Sequence, residues 1–265
     1  QLPNQNHHHG VFIMAFKYPN YLVETGWLAD HIDDSDIRIL DCTAFNIPDD
    51  NGGIRAESGR ESWEAEHIPG SGHADLVNDL SDKSAAFRYM LPSVEQFAKA
   101  MSGYGVGAAT RAVLYDSTSG SWATRIWWML RAFGFDEAYV LNGGLHKWKL
   151  ENRPVSTSPP NYPQAIFHAR PRTGLMADKN EVLAAIGSGT TCVINALSPD
   201  QHHGTGGASY GRPGRISESV NVPAGDLTDP LTHAYLPPEQ LSERFSNVGV
   251  DSASRVIAYC GGGIA

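Results

Sequence analysis

The sequence predicts an α/β protein built from two tandem domains, each a parallel sheet with helices on both faces. Two observations predict this architecture: the chain repeats itself, and strand-like and helix-like segments alternate within the repeat. Such alternation places parallel strands side by side, with a helix in each crossover between them. A third observation, a stretch rich in Pro and Ser between the two copies, predicts where one domain ends and the next begins.

The repeat is visible in four segments that occur twice in the same order. RAVLYD, which begins at Arg111, matches RVIAYC, which begins at Arg255. The stretches LPSVEQFAKAMSGYGV and LPPEQLSERFSNVGV precede them, and Val106 pairs with Val250 at the same offset. Further upstream, IRILDC resembles TCVINA, and GRESWEAEHIPG resembles GRPGRISESVNVP. Four matches in one order indicate two copies of a single unit.

Each element of the first copy follows from a local pattern. IRILD is a short apolar run, as expected for a strand buried on both faces. LPSVEQFAKAMSGYG predicts a helix, with Pro92 near its first turn and glycines at its end. RAVLYD is a second apolar strand, and SWATRIWWMLRAFG spaces Trp122, Ile126 and Met129 at helical intervals. EAYVLNGG predicts a third strand, and LHKWKLEN predicts a short final helix.

The repeat and the linker set the predicted domain bounds. Residues 15–152 form a first domain, 153–165 a linker and 166–265 a second domain. The residues before 15 include three consecutive histidines and are interpreted as a tag. By repeat symmetry the second copy lacks a helix, a strand and a helix, on the order of 35 residues. We therefore expect the sequence to be truncated, with Cys260 at the end of a central strand.

Composition excludes several classes of function. A formal net charge of −9 argues against nucleic acid as a partner, because phosphate binding needs clustered Lys and Arg. The apolar runs are far shorter than a membrane span, and the opening stretch lacks the pattern of a signal peptide. Three cysteines do not make a disulfide framework in a chain of this size. We expect a cytoplasmic protein that needs no membrane, metal or cofactor.

The three cysteines differ in their surroundings. Cys42 and Cys192 lie in apolar strand-like runs, which predicts buried and inert thiols. Cys260 instead follows a strand and precedes three glycines, where ligands bind at the edge of open α/β sheets. Loop amides and a following helix N-terminus favour a thiolate there, and glycines let the backbone curl around the sulfur. Taken alone, CGGGI would equally describe an unreactive cysteine beside a glycine-rich turn.

Three stretches resemble the two-domain rhodanese family, the thiosulfate and 3-mercaptopyruvate sulfurtransferases. They are GRESWEAEHIPG, RIWWMLRAFGFDEAYVLNGGLHKW and YCGGGIA, and the resemblance covers nearly the whole chain from about Tyr18. The resemblance implies that the first domain is catalytically silent, with Asp116 in the place of the cysteine. It implies that Cys260 is the catalytic nucleophile and that the loop after it binds substrate. The implied loop residues are Gly261, Gly262, Gly263, Ile264 and Ala265.

The implied reaction moves a sulfur atom from a small anionic donor, 3-mercaptopyruvate or thiosulfate, to a thiol or cyanide. Cys260 would carry the sulfur as a persulfide, without a cofactor. The loop lacks the Arg or Lys of thiosulfate-type members and is closer to the mercaptopyruvate type. Gly262 nevertheless lacks the hydroxyl that mercaptopyruvate-type members carry at this position, and Ala265 replaces the usual Thr.

Other departures concern the charges that would bind the donor. Leu197 stands where the family commonly has a substrate-binding Arg, and His202-His203-Gly204 replaces a second basic motif. Arg212 and Arg215 are candidates to supply replacement charge, or else are solvated loop arginines.

Arg60 and His67 belong to the first-domain signature, which in the family faces the second-domain loop across a cleft. His67 is therefore a candidate for proton transfer or donor orientation. The alternative is a histidine that hydrogen-bonds backbone and fixes the turn at Ile68-Pro69-Gly70.

Two other functions stay open at this point. One is a persulfide carrier with little turnover, which the missing arginines make plausible. The other is a cysteine phosphatase of the same fold, whose loop reads Cys-x5-Arg and is one residue longer. Tyr259 before the cysteine and the tandem arrangement argue against the phosphatase.

Overall fold

The computed structural model describes residues 15–48, 53–208 and 210–265. The predicted tag lies outside these ranges. The first domain contains, in chain order, β1 (Leu22–Val23), α1 (Thr25–His31), β2 (Ile37–Asp41), β3 (Ala44–Pro48), β4 (Ile54–Ser58), α2 (Arg60–Ala65), β5 (Gly72–His73), α3 (Val94–Gly103), β6 (Arg111–Tyr115), α4 (Ser121–Ala132), β7 (Ala138–Leu141) and α5 (Gly144–Leu150). The second domain contains α6 (Lys179–Ala185), β8 (Thr191–Asn195), α7 (Pro199–His203), β9 (Val220–Asn221), α8 (Pro238–Ser246) and β10 (Arg255–Tyr259). Within the described ranges, no helix is long and apolar enough to cross a membrane.

The first domain is built on a five-stranded parallel sheet in the order β1-β7-β6-β2-β5. β2 is buried along its whole length, and four of the five residues of β6 are buried. A strand in the middle of a covered sheet needs apolar side chains on both faces, which explains the continuous apolar runs of the sequence. β3 and β4 pair antiparallel as a separate hairpin.

Helices cover both faces of this sheet, as predicted. Leu28 of α1 and Trp148 of α5 belong to one buried cluster, and Phe97 of α3 and Ile126 of α4 belong to the other. Ser93 caps α3, where its hydroxyl accepts a hydrogen bond from the backbone N–H three residues later at 3.1 Å. The spacing of Trp122, Ile126 and Met129 in the sequence thus identified the buried face of α4 correctly.

The second domain repeats the pattern with a three-stranded parallel sheet in the order β10-β8-β9. β10 pairs with β8 from Arg255 opposite Thr191, just as β6 pairs with β2 from Arg111 opposite Ile37. Within the described residues, β6 has a partner on both sides, whereas β10 is paired with β8 alone. The second neighbour expected for β10 would follow residue 265, so the central position of this strand stays a prediction.

The predicted linker lies along the first domain. The Tyr162 hydroxyl donates to the Gly70 carbonyl at 2.5 Å and accepts from the Ile39 N–H at 2.9 Å. Phe167, just beyond the linker, is buried in the first domain's larger cluster. The boundary at residue 166 stays a prediction, and the packing of Phe167 favours a later one.

Candidate active site

Cys260 lies directly after the last residue of β10, where the loop turns back over its sulfur. Its Sγ accepts hydrogen bonds from the backbone N–H groups of Gly263, at 3.0 Å, and Ile264, at 3.2 Å. The residue is half-buried, so one side of the sulfur is open to a ligand. Two N–H donors on one sulfur stabilise negative charge there, and the thiolate is the nucleophilic form of cysteine.

Two of the three loop glycines lie against tyrosine rings, and the third lies beside Arg125. A Cβ at position 261 would lie 2.2 Å from the ring of Tyr210, and a Cβ at 262 would lie 3.2 Å from the ring of Tyr89. Gly263 has φ = +71°, a left-handed conformation that glycine adopts without strain. The loop can therefore reach the sulfur with its amides only because these positions carry no side chain.

Cys260 opens onto a cleft of about 610 Å³ within the second domain. Leu197 and Tyr210 form part of its wall, and Gly261 belongs to its lining. Arg212 and Arg215, which the sequence suggested as replacement cations, also line this cleft. Both arginines are exposed, so any charge that they contribute to a bound anion is partly screened by water.

A second cavity, of about 180 Å³, meets Cys260 from the side of the first domain. The first domain contributes Asn46, Tyr89, Ser119, Ser121 and Trp122, and the second contributes Leu197, Tyr210, Cys260, Gly262, Ile264 and Ala265. None of these side chains carries a full charge apart from a thiolate at Cys260. The cysteine therefore stands between a cleft with two cations and a cavity lined by hydroxyl, amide and aromatic groups.

The first domain shows what such a loop does with an anion. Asp116 occupies the position equivalent to Cys260, directly after β6. Its Oδ1 accepts from the N–H groups of Thr118 and Gly120, at 2.8 and 3.0 Å. Its Oδ2 accepts from those of Trp122 and Ala123, at 3.0 and 3.1 Å. The first-domain loop and helix start are thus an anion cradle filled by the chain's own carboxylate.

Arg60 and His67 lie away from both cavities. His67 is completely buried, and its ring nitrogens contact the carbonyl oxygens of Trp63, at 2.6 Å, and Ser158, at 2.9 Å. The ring also stacks on the indole of Trp63, with the centroids 4.7 Å apart. These contacts favour the alternative in which His67 fixes backbone. Arg60 is exposed at the first residue of α2, and it is not among the residues that line either cavity.

Arg125 of α4 reaches this site, although the sequence did not single it out. Its Nη1 donates to the Gly263 carbonyl at 3.1 Å, and its Nη2 donates to the Tyr89 carbonyl at 2.7 Å. The missed signal was its position: it lies three residues after Trp122 and four before Met129, on the apolar stripe of the helix. A charged side chain on such a stripe needs a polar partner in the interior.

The other two cysteines lie in surroundings that oppose ionisation. Cys42 is completely buried, and burial together with the charges of Asp41 and Asp116 raises the pKa of its thiol. Burial also raises the pKa of the Cys192 thiol, although that residue is half-buried, so the prediction of full burial was wrong there. Desolvation disfavours the charged form of a thiol, and so both should be poor nucleophiles.

Comparison with known proteins identifies the family. Human 3-mercaptopyruvate sulfurtransferase is 33% identical to this chain over 211 residues, which cover 77% of the chain and 70% of the relative. A family model described as a rhodanese-like domain matches residues 24–151. The chain belongs to the rhodanese family. Thiosulfate sulfurtransferase from Rattus norvegicus is 30% identical, over 92% of this chain and 82% of the relative.

Solved structures agree with this rhodanese assignment. SseA from Escherichia coli, described as a 3-mercaptopyruvate sulfotransferase, aligns with a TM-score of 0.78 and 28% identity. The alignment covers 92% of this chain and 89% of that chain. The predicted family and the predicted fold class are thereby confirmed.

The structure shows where the residues that differ from the family pattern lie relative to Cys260. Leu197 lines both cavities, so the arginine expected there would have faced Cys260. His202 is buried with Nε2 3.2 Å from the Ser219 carbonyl, and burial lowers the pKa of its imidazole. His203 has Nδ1 2.8 Å from the Pro199 carbonyl and, like His202, does not line the cleft. Neither histidine therefore replaces the missing charge.

Proposed function

We propose that this rhodanese moves a sulfur atom from a small anionic donor to a thiol or cyanide, with Cys260 as the nucleophile. The observation that carries the proposal is the environment of the Cys260 sulfur. This sulfur accepts hydrogen bonds from two backbone N–H groups and borders two cavities. Arg212 and Arg215 give the larger cleft the charge that attracts an anion. The partners are thus small molecules, and a cytoplasmic location stays a prediction.

The first half-reaction loads the cysteine. The Cys260 thiolate attacks the sulfur of 3-mercaptopyruvate, and a new S–S bond forms as the carbon–sulfur bond breaks. The electron pair of the broken bond leaves with pyruvate as its enolate, which takes up one proton to give pyruvate. With thiosulfate, the attack falls on the outer sulfur and sulfite leaves with the electron pair. Either donor leaves a persulfide on Cys260.

The second half-reaction regenerates the thiolate. An acceptor thiolate, or cyanide, attacks the outer sulfur of the persulfide, and the S–S bond breaks. The pair of electrons returns to the Cys260 sulfur, and the product is a new persulfide or thiocyanate. The Gly263 and Ile264 amides stabilise negative charge on the Cys260 sulfur. They therefore assist when the thiolate attacks the donor and again when it is the leaving group.

Donor choice follows from the charges around the sulfur. The loop offers backbone dipoles but no cation, and Leu197 places an apolar side chain in both cavities. Thiosulfate brings two negative charges and mercaptopyruvate one carboxylate, so the dianion loses more from each missing cation. We expect 3-mercaptopyruvate to be the better donor. The mercaptopyruvate sulfurtransferase relatives support this preference.

The test is steady-state turnover with both donors, cyanide as acceptor, and mass spectrometry of the protein after donor alone. We expect pyruvate release, thiocyanate formation and a mass increase of one sulfur atom, all abolished in Cys260→Ser. The matched control is Cys42→Ser, which should retain the mass increase. Loading without turnover would indicate a persulfide carrier instead, and hydrolysis of an aryl phosphate would indicate the phosphatase, which the rhodanese relatives disfavour.

A further inference from the structure

Arg125 belongs to the first domain, yet its guanidinium contacts the loop that holds the reactive thiol of the second. We infer that Arg125 is a positioning residue for Cys260, which acts through the peptide group that joins Gly263 to Ile264. The inference rests on the proposed role of Cys260 as nucleophile. It gives the silent first domain a direct part in the chemistry of the second.

One peptide plane connects Arg125 to Cys260. Arg125 Nη1 donates to the carbonyl oxygen of Gly263 at 3.1 Å, and the N–H of Ile264 donates to Cys260 Sγ at 3.2 Å. The carbonyl of residue 263 and the N–H of residue 264 are the two ends of the same planar amide. Holding the oxygen therefore fixes the direction of the N–H, and a charged donor on the oxygen polarises the amide so that its N–H becomes a stronger donor.

The other arm of the guanidinium is anchored in the first domain. Arg125 Nη2 donates to the Tyr89 carbonyl at 2.7 Å. Tyr89 has φ = +60°, an uncommon conformation for a residue with a side chain, and its hydroxyl donates to Asn46 Oδ1 at 2.8 Å. Its ring also packs beside Gly262. The fork of Arg125 thus ties the Cys260 loop to a fixed part of the neighbouring domain.

The charge environment of Arg125 also supports a role beside Cys260. Among the described residues, no carboxylate pairs with Arg125, and its buried Nε has no hydrogen-bond partner. Burial lowers the pKa of the guanidinium, and the charge of Cys260 opposes that shift. A half-buried cation without a carboxylate partner is unfavourable unless a negative charge forms nearby. The thiolate of Cys260, and later its persulfide, supplies that charge.

The experiment compares the native full chain with Arg125→Gln and Arg125→Lys. The matched control is Arg131→Gln on the same helix, whose guanidinium pairs with Asp136 instead. The rate of alkylation of Cys260 by iodoacetamide is measured from neutral to alkaline pH. The charged or titratable groups beside Cys260 are Tyr89, Tyr210, Tyr259, Arg125, Arg212 and Arg215. Burial raises the pKa of Tyr89 to about 12 and raises that of Tyr210, which keeps these two phenols out of the neutral range.

We expect Arg125→Gln to slow alkylation near neutral pH by about three- to tenfold and to recover the native rate at alkaline pH. The alkylation rate of Arg125→Lys should lie between those of the native protein and Arg125→Gln, because lysine keeps the positive charge but lacks the two-nitrogen fork of the guanidinium. With mercaptopyruvate, kcat should fall more than KM changes. Arg131→Gln should match the native protein throughout.

Two results would overturn the inference. One is a native alkylation profile in Arg125→Gln. The other is a loss of equal size at every pH, which would indicate a displaced loop rather than a weakened thiolate. Alkylation needs no sulfur donor, so it tests Arg125 even if the native protein transfers no sulfur. In that case the proposed function fails while the role of Arg125 is still decided.

Discussion

Leu197 lines both cavities at Cys260, so a cation introduced there should change the choice of donor. Leu197→Arg would place a guanidinium beside a bound anion. A hydrogen bond to a charged group contributes about 1.5–3 kcal/mol when it is shielded from water. The cleft also contains two exposed arginines and is open to solvent. Because water screens charges there, the lower end of this energy range applies. About 1.4 kcal/mol corresponds to a tenfold gain in kcat/KM for thiosulfate.

The assay is thiocyanate formation from thiosulfate and cyanide, with pyruvate release from mercaptopyruvate measured in parallel. The gain with thiosulfate should appear mainly in KM, and the gain with mercaptopyruvate should be smaller because that donor carries less charge. Leu197→Met, which keeps the size and adds no charge, is the control and should leave both donors unchanged. No gain in a folded Leu197→Arg protein would refute the charge argument. A native preference for thiosulfate would also refute it, and would point to Arg212 and Arg215 as sufficient cations.

Three further outcomes are expected. Iodoacetamide should label Cys260 before Cys42 in the native protein, by peptide mass spectrometry, because only Cys260 has an accessible sulfur with two amide donors; equal rates would count against the site. Gly261→Ala should lower kcat/KM by about tenfold or more, since its Cβ meets the Tyr210 ring, and adding Tyr210→Ala should restore part of the loss; no recovery in the double variant would contradict this contact. Burial lowers the pKa of His73 to about 4 from 6.5, so the folded state resists its protonation. About 3 kcal/mol of stability, present above pH 6.5, should therefore be lost as the pH falls toward 4. His73→Phe should reduce that acid sensitivity in thermal unfolding, and an unchanged pH dependence would argue against it.

Local patterns in the sequence predicted most of the fold. The stripe with Trp122 and Ile126 identified α4, and the apolar run of β6 identified a strand with both faces covered. These features are readable because helical and strand periodicities repeat within a few residues. The internal repeat then placed Cys260 at the position of Asp116, which the shared pairing register of β10 and β6 supports.

Side-chain roles were less predictable where they depend on contacts between distant segments. His67 was a candidate for proton transfer, but its ring nitrogens face two carbonyl oxygens, one of them in the linker. Leu197 was recognised as a missing charge, yet only the structure shows that it borders two cavities. Arg125 looked like part of a core helix, because no local pattern indicates which domain surface a helix will face.

The sequence by itself determined that the chain has two related α/β units and that the second carries a cysteine where the first carries a carboxylate. Short-range periodicity and self-similarity are properties of the chain alone. The tertiary structure decided which groups surround that cysteine. Arg125 and Gly263 are 138 positions apart and meet only because the two domains pack together. The loop amides reach Cys260 because glycines lie against the rings of Tyr89 and Tyr210, which approach it from different domains. Such contacts arise from packing, and packing is not encoded by any single stretch of sequence.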